Sequence, residues 1–112
     1  MAEIERKEVI ISEQFDLDII SLYSYGEEVF GTTAARSFIA DIYNQVLNLD
    51  GTYLIHLECR HLTTVNKRYR NIILGKYLII YRVRVNKIEV LRALHGSQNP
   101  KTIKAIKKIK IK

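Results

Sequence analysis

A chain of 112 residues, 47% hydrophobic and 27% charged with a single proline, is long enough for one domain with one core, and its composition excludes a disordered or fibrous protein. Its single cysteine, Cys59, excludes an internal disulfide. No signal-peptide pattern opens the chain and no apolar run reaches the roughly 18 residues that cross a bilayer, so a cytoplasmic location without membrane contact is expected. The net charge of +6 is split: residues 1–60 carry 4 basic and 11 acidic side chains, residues 61–100 carry 8 and 1, and the last twelve add six lysines. The basic half suits an acidic protein or a nucleic acid as partner, although solubility accounts for the charge equally well.

In chain order, "ERKEVIIS" is rich in β-branched residues and predicts a short strand over about residues 6–12, with Ser12 at the N-cap of a helix. In that helix Phe15, Ile19, Leu22, Tyr23 and Phe30 share one side, and Glu13, Asp16 and Asp18 lie in its first turns, where the macrodipole favours acids. Gly31 stops it. Thr32 or Thr33 caps a second helix whose Ala35, Phe38, Ile39, Ile42, Val46 and Leu49 form an apolar stripe, ended by Asp50 and Gly51. Residues 52–68 keep neither period and read as a loop with room for a short strand.

From Tyr69 the alternation returns: a strand to Leu74, a turn at Gly75 and Lys76, a strand from Tyr77 to Val85, a turn at Asn86 and Lys87, and a strand from Ile88 to about His95. The fold class is therefore α+β: an N-terminal strand, a helical hairpin and a three-stranded antiparallel meander in one twisted sheet. A two-residue turn at Asn86 and Lys87 would set Val85 opposite Ile88, Val83 opposite Val90, Tyr81 opposite Arg92 and Ile79 opposite Leu94 on a core face. The other face would pair Arg84 with Glu89 as an exposed ion pair worth about 0.2–1 kcal/mol, Arg82 with Leu91, Ile80 with Ala93 and Leu78 with His95. Arginine is rarely kept in strands buried on both sides, so one face of the sheet is expected to be wet. Residues 1–100 make the domain. The remainder, 101–112, is a lysine-rich tail whose Ile103, Ile106 and Ile109 recur at steps of three, and a frayed, solvated state is expected for it, with docking as an amphipathic helix on the domain's own groove, or phosphate contact, as the alternatives.

The stretch "YRNIILGKYLIIYRV" followed by "IEVLRALHGSQNP", behind a helical hairpin, resembles the RelE/ParE toxin superfamily. The resemblance implies the toxin half of a type II toxin–antitoxin pair, of the kind labelled plasmid stabilisation proteins, neutralised by an antitoxin from the same operon. It admits a homodimer or a toxin–antitoxin heterotetramer. The ending "LRALHGSQNP" is nearer the ParE side, which implies binding and inhibition of DNA gyrase. ParE-like chains often carry an arginine where Gln98 or Asn99 stands here. The runner-up is a RelE-like endoribonuclease that cuts mRNA on the ribosome, and a third reading is an inactive member kept for antitoxin binding and operon autoregulation.

Metal-free RNA cleavage needs a base, an acid and cations around the developing charge. Glu58 is the candidate base, His95 or Tyr81 the acid, and Arg70, Arg82 and Arg92 the phosphate clamp, since guanidinium binds phosphate bidentately. Tyr81 alternates with Ile79 and Val83 and reads equally as core. For target binding the candidates are Arg70, Arg82, Arg92 and His95, with Arg70 and Arg92 preferred because neither has an acid close in sequence. His56, Cys59 and His61 in "HLECRH" are too few for a zinc site. No phosphate-binding glycine loop or nucleotide fingerprint is present, so neither a metal nor a cofactor is expected.

Overall fold

Ser12 ends the first strand and starts the first helix in the computed structural model, which describes residues 4–111. Strand β1 (Glu8–Ile11) leads into helix α1 (Glu13–Phe30), whose cap is the Ser12 hydroxyl accepting from Phe15 N–H at 3.0 Å. The same hydroxyl donates to Leu91 O at 2.6 Å, so one buried serine serves two elements. Gly31, at φ 91°, is the whole connection to α2 (Thr32–Leu47), a backbone angle that favours glycine. The second helix breaks at Asn48 and adds one separate turn, α3 (Leu49–Thr52).

Strands β2 (Tyr69–Leu74), β3 (Tyr77–Val83) and β4 (Lys87–His95) complete one sheet in the order β1-β4-β3-β2, with β1 parallel to β4 and the rest antiparallel. The hairpin between β2 and β3 turns on Gly75 at φ 59°, as its position in the sequence predicts. Residues 53–68 cross the far side of the sheet as loop, joined to β2 by an isolated bridge between Glu58 and Arg70.

The register differs from the expected one. The turn between β3 and β4 falls one residue earlier than expected, on Val85 and Asn86, with Arg84 N–H donating to Lys87 O at 2.8 Å, so Val83 lies opposite Ile88, Arg82 opposite Glu89 and Tyr81 opposite Val90. A bulge then shifts the pairing, and Ile80 faces Arg92, Ile79 faces Ala93 and Tyr77 faces His95. The earlier turn sets Glu89 directly across from Arg82, within reach of Arg84 as well, which a turn at Asn86 and Lys87 would not allow.

Both faces of the sheet are covered, in contrast to the expected wet face. On one, Phe15, Ile19, Ile42, Val46 and Leu49 of the helices meet Ile72, Ile79, Tyr81, Ile88, Val90 and Ala93. On the other, Tyr69, Ile80, Leu91 and Leu94 are covered by Cys59 and Leu62 of the loop and by Ile103 and Ile106. Those two isoleucines belong to α4 (Pro100–Lys104) and to a 3-10 turn over Ala105–Lys108. The lysine-rich stretch is thus folded and docked, not frayed. Asn99 caps α4 by accepting from Lys101 N–H at 2.8 Å, Pro100 stands at its first turn, and burial of the isoleucine steps supplies what so short a helix lacks alone. Phe30, expected on the buried side of α1, is 70% exposed at the helix end.

Truncating Ile103 or Ile106 to alanine is expected to destabilise the whole domain by about 2–5 kcal/mol, read as a lower urea midpoint in one cooperative transition. A midpoint within error of wild type would mean that the tail is not docked.

Candidate target-binding surfaces

The arginines singled out by the sequence fall into three different settings. Arg82 is 2% exposed. Its Nε donates to Glu89 Oε1 at 2.7 Å, its Nη1 to Tyr69 Oη at 3.3 Å and its Nη2 to Ile109 O at 2.9 Å, so its donors are spent inside. Arg82 is therefore a core cation and is unavailable to a target. Arg84 Nε meets the same Glu89 oxygen at 2.7 Å from a half-exposed position, so the expected pairing of these two residues exists, but the strand partner of Glu89 is Arg82. Burial pushes the Glu89 carboxyl up, yet the hydrogen bonds and charges of Arg82 and Arg84 outweigh it and hold the group below its ordinary value near 4.5.

Arg92 has an acid after all. Strand β1 pairs with β4 only as far as Val90, which leaves the rest of that edge of β4 without a strand neighbour. Asp18 of α1 fills the place: its carboxylate accepts from Arg92 Nε at 2.7 Å, from Arg92 Nη2 at 2.9 Å and from Ala93 N–H at 3.0 Å. The hydrogen bond to Asp18 raises the Arg92 pKa further. The pair lies 74 positions apart in sequence, which is why neighbouring acids gave no sign of it.

Arg70 alone remains without a carboxylate among the described residues. Its Nη1 donates to Leu54 O at 3.3 Å and to His56 O at 2.7 Å, while its Nε is buried without a partner. Glu58 lies across the bridge from it and accepts from Thr64 N–H at 3.3 Å. Tyr81, opposite Arg70 in the ladder, is fully buried and donates its hydroxyl to Tyr53 O at 2.6 Å. Burial drives its phenol far above the ordinary value near 10, with the Arg70 charge opposing only in part. His95 closes β4 opposite Tyr77, edge-on to that ring, with Nδ1 accepting from Ser97 N–H at 3.1 Å. Four steps along the strand separate Tyr77 from Tyr81, about 13 Å at the usual rise. The structure thus brings Arg70, Glu58 and Tyr81 to one region and leaves His95 and Arg92 at the other.

The His95 end opens on a groove that the sequence did not reveal. A cavity of about 630 Å³ runs between α1 and the tip of the β2–β3 hairpin, lined by Leu22, Tyr25, Phe30, Phe38, Tyr77 and His95 among others. A second, of about 250 Å³, shares Leu22, Tyr25, Phe30, Phe38 and Tyr77 and reaches Gly26, where α1 and α2 approach closely. Tyr25 and Phe30 are more than half exposed on this wall, which makes it a docking surface by its chemistry. The exposed Phe30 at the end of an otherwise amphipathic helix was the available signal.

A strand, a helical hairpin and an antiparallel meander in this order are similar to a solved structure of the chromosomal ParDE toxin–antitoxin system from P. aeruginosa. The TM-score is 0.67 at 18% identity, covering 82% of this chain and 98% of that one. No curated protein matches by sequence. Residues 9–100 match the family model of the ParE toxin of the type II toxin–antitoxin system, parDE, and the chain belongs to the ParE toxin family.

Because the folded state holds Glu89 ionised, its contribution to stability is complete above about pH 4.5 and drains away as the pH falls through the lower folded value. Glu89→Gln is expected to cost about 3–5 kcal/mol at neutral pH, since a buried guanidinium loses its counter-charge, and to flatten the fall of the urea midpoint between about pH 5 and pH 3. A variant curve as steep as that of wild type would contradict this assignment.

Proposed function

We propose that this ParE-family toxin acts by binding DNA gyrase, and that an antitoxin from the same operon neutralises it in the cytoplasm. The carrying observation is that neither candidate acid is available to the candidate base Glu58. The Tyr81 hydroxyl is buried on a backbone carbonyl, and His95 lies four strand steps away, on the groove. Action by surface contact needs no such acid, only an accessible patch with anchors. His95 and the following turn, beside the exposed Phe30 and Tyr25, supply that patch. Arg70 offers a second contact on the basic side. The antitoxin segment that fits the groove is an amphipathic helix with apolar anchors for the Phe30 and Tyr25 wall.

One observation favours the ribosome-dependent endoribonuclease as second reading: Glu58 and Arg70 are paired backbone to backbone, which puts the candidate base and one clamp residue on neighbouring positions. That reading lacks an acid free to act there, since the Tyr81 hydroxyl beside them is buried and spent on Tyr53 O.

In a supercoiling assay with purified gyrase, a stoichiometric amount of the chain is expected to slow ATP-dependent supercoiling and to accumulate cleaved plasmid. His95→Ala should weaken the effect by about tenfold, the loss typical of an anchor worth roughly 1.4 kcal/mol. Gyrase turning over unchanged beside an equimolar toxin would refute the reading.

A further inference from the structure

Away from the groove, a cleft of about 220 Å³ is lined by Lys7, Lys67, Arg68, Arg70 and Arg84, and no carboxylate is among its lining residues. These five cations come from four separate places: the residue before β1, the loop ahead of β2, β2 itself and the β3–β4 loop. Of the five, only Arg84 has a carboxylate within ion-pair distance among the described residues, and it shares that carboxylate with Arg82. Cations gathered without counter-charges repel one another, so their approach is imposed by the fold.

The loop that carries two of them is built for the purpose. Lys67 has φ 51°, the only positive φ at a non-glycine residue among the described residues, and a left-handed lysine is a strained choice where glycine or asparagine would rest easily. Thr64 pins the turn from three sides: its O accepts from Lys67 N–H at 3.1 Å, its Oγ1 accepts from Arg68 N–H at 3.1 Å, and it bonds Asn66 Oδ1 at 3.1 Å. Asn66 Oδ1 in turn accepts from Arg68 Nε at 3.2 Å. Arg70 is anchored from behind by two carbonyls, and Lys7 by Arg84 O at 2.6 Å. Lys7, Arg68, Arg70 and Arg84 thus each have a side-chain bond within the protein, and the turn fixes the backbone of Lys67.

We infer that this cleft binds the phosphate backbone of duplex DNA, through the cluster of Lys7, Lys67, Arg68, Arg70 and Arg84 on the pinned 64–68 turn. An array spread over four chain segments suits successive phosphates better than one small anion. No aromatic side chain lines the cleft, so it offers no stacking platform for the bases of a single strand, and a duplex is the form it fits. The inference rests on the gyrase reading for its choice of DNA: a toxin seated on gyrase meets the duplex that the enzyme holds.

The test is fluorescence anisotropy of the full chain with a labelled duplex of about 20 base pairs and arbitrary sequence, over about 50–200 mM salt, with the matching single strand and a poly-glutamate competitor. The expected result is duplex binding tighter than single-strand binding, with a log–log salt slope of about −3 to −4. Lys67→Gly, which the left-handed backbone accepts, and Arg68→Gln should each reduce the slope by about 1, while a Lys104→Gln, Lys110→Gln pair leaves it unchanged. The inference is overturned by absent duplex binding at the lowest salt, by tighter single-strand binding, by a slope that follows the tail lysines instead, or by poly-glutamate displacing the duplex at equal charge concentration. Gyrase inhibition by a chain that does not bind duplex would defeat the cleft alone. Duplex binding that responds to Lys67→Gly, with gyrase unaffected, would uphold the cleft and defeat the gyrase reading.

Discussion

A carboxylate buried in a sheet must find its counter-charges inside the fold, and Glu89 finds two. Arg82 reaches it from the neighbouring strand and Arg84 from the loop beyond, both at 2.7 Å. Leaving either charge alone in that environment costs several kcal/mol, so the β3–β4 register cannot slide without breaking the arrangement. Arg82 carries the constraint outward. Its remaining nitrogens hold Tyr69 on β2 and Ile109 O at the chain's end, which ties three strands' worth of sheet and the docked tail to one ionised group.

The opposite end of the sheet is organised by another acid. Asp18 occupies the edge of β4 that the short β1 leaves open, and in doing so fixes α1 over Ala93 and withdraws Arg92 from any target. With α1 held there, its last turn overhangs the β2–β3 tip, and Phe30 and Tyr25 form a wall with nothing described in front of them. The two carboxylates therefore divide the molecule: Glu89 lies beside the basic side, Asp18 shapes the side that carries the apolar groove. A toxin that must be held by an antitoxin and also engage a target has use for two such faces.

Local chemistry made the elements legible. Ser12, Gly31 and Gly75 mark ends and turns that the backbone obeys, and the strand from Tyr69 to Leu74 lies where its alternation put it. The resemblance in "YRNIILGKYLIIYRV" led to the family that the match over residues 9–100 shows. Distance along the chain hid the rest. Arg92 and Asp18 meet across 74 positions, Tyr81 and Tyr53 across 28, and no periodicity encodes either. The register was lost to a turn that falls one residue earlier than the assumed one and to one bulge. The tail misled because its helix is too short to stand alone, and the sheet face that stabilises it was expected to be wet. In that sense Arg82 was read backwards: a cation in a strand announced a buried pair, where it had suggested an exposed clamp.

Whether the toxin acts by binding or by cutting is the claim on which the account turns. The most direct measurement is induction of the chain in a bacterium without an antitoxin, following chromosomal breaks and total protein synthesis through the first minutes. Breaks that precede any fall in synthesis are the predicted result. Prompt translation arrest with cleaved messages and intact DNA would contradict it.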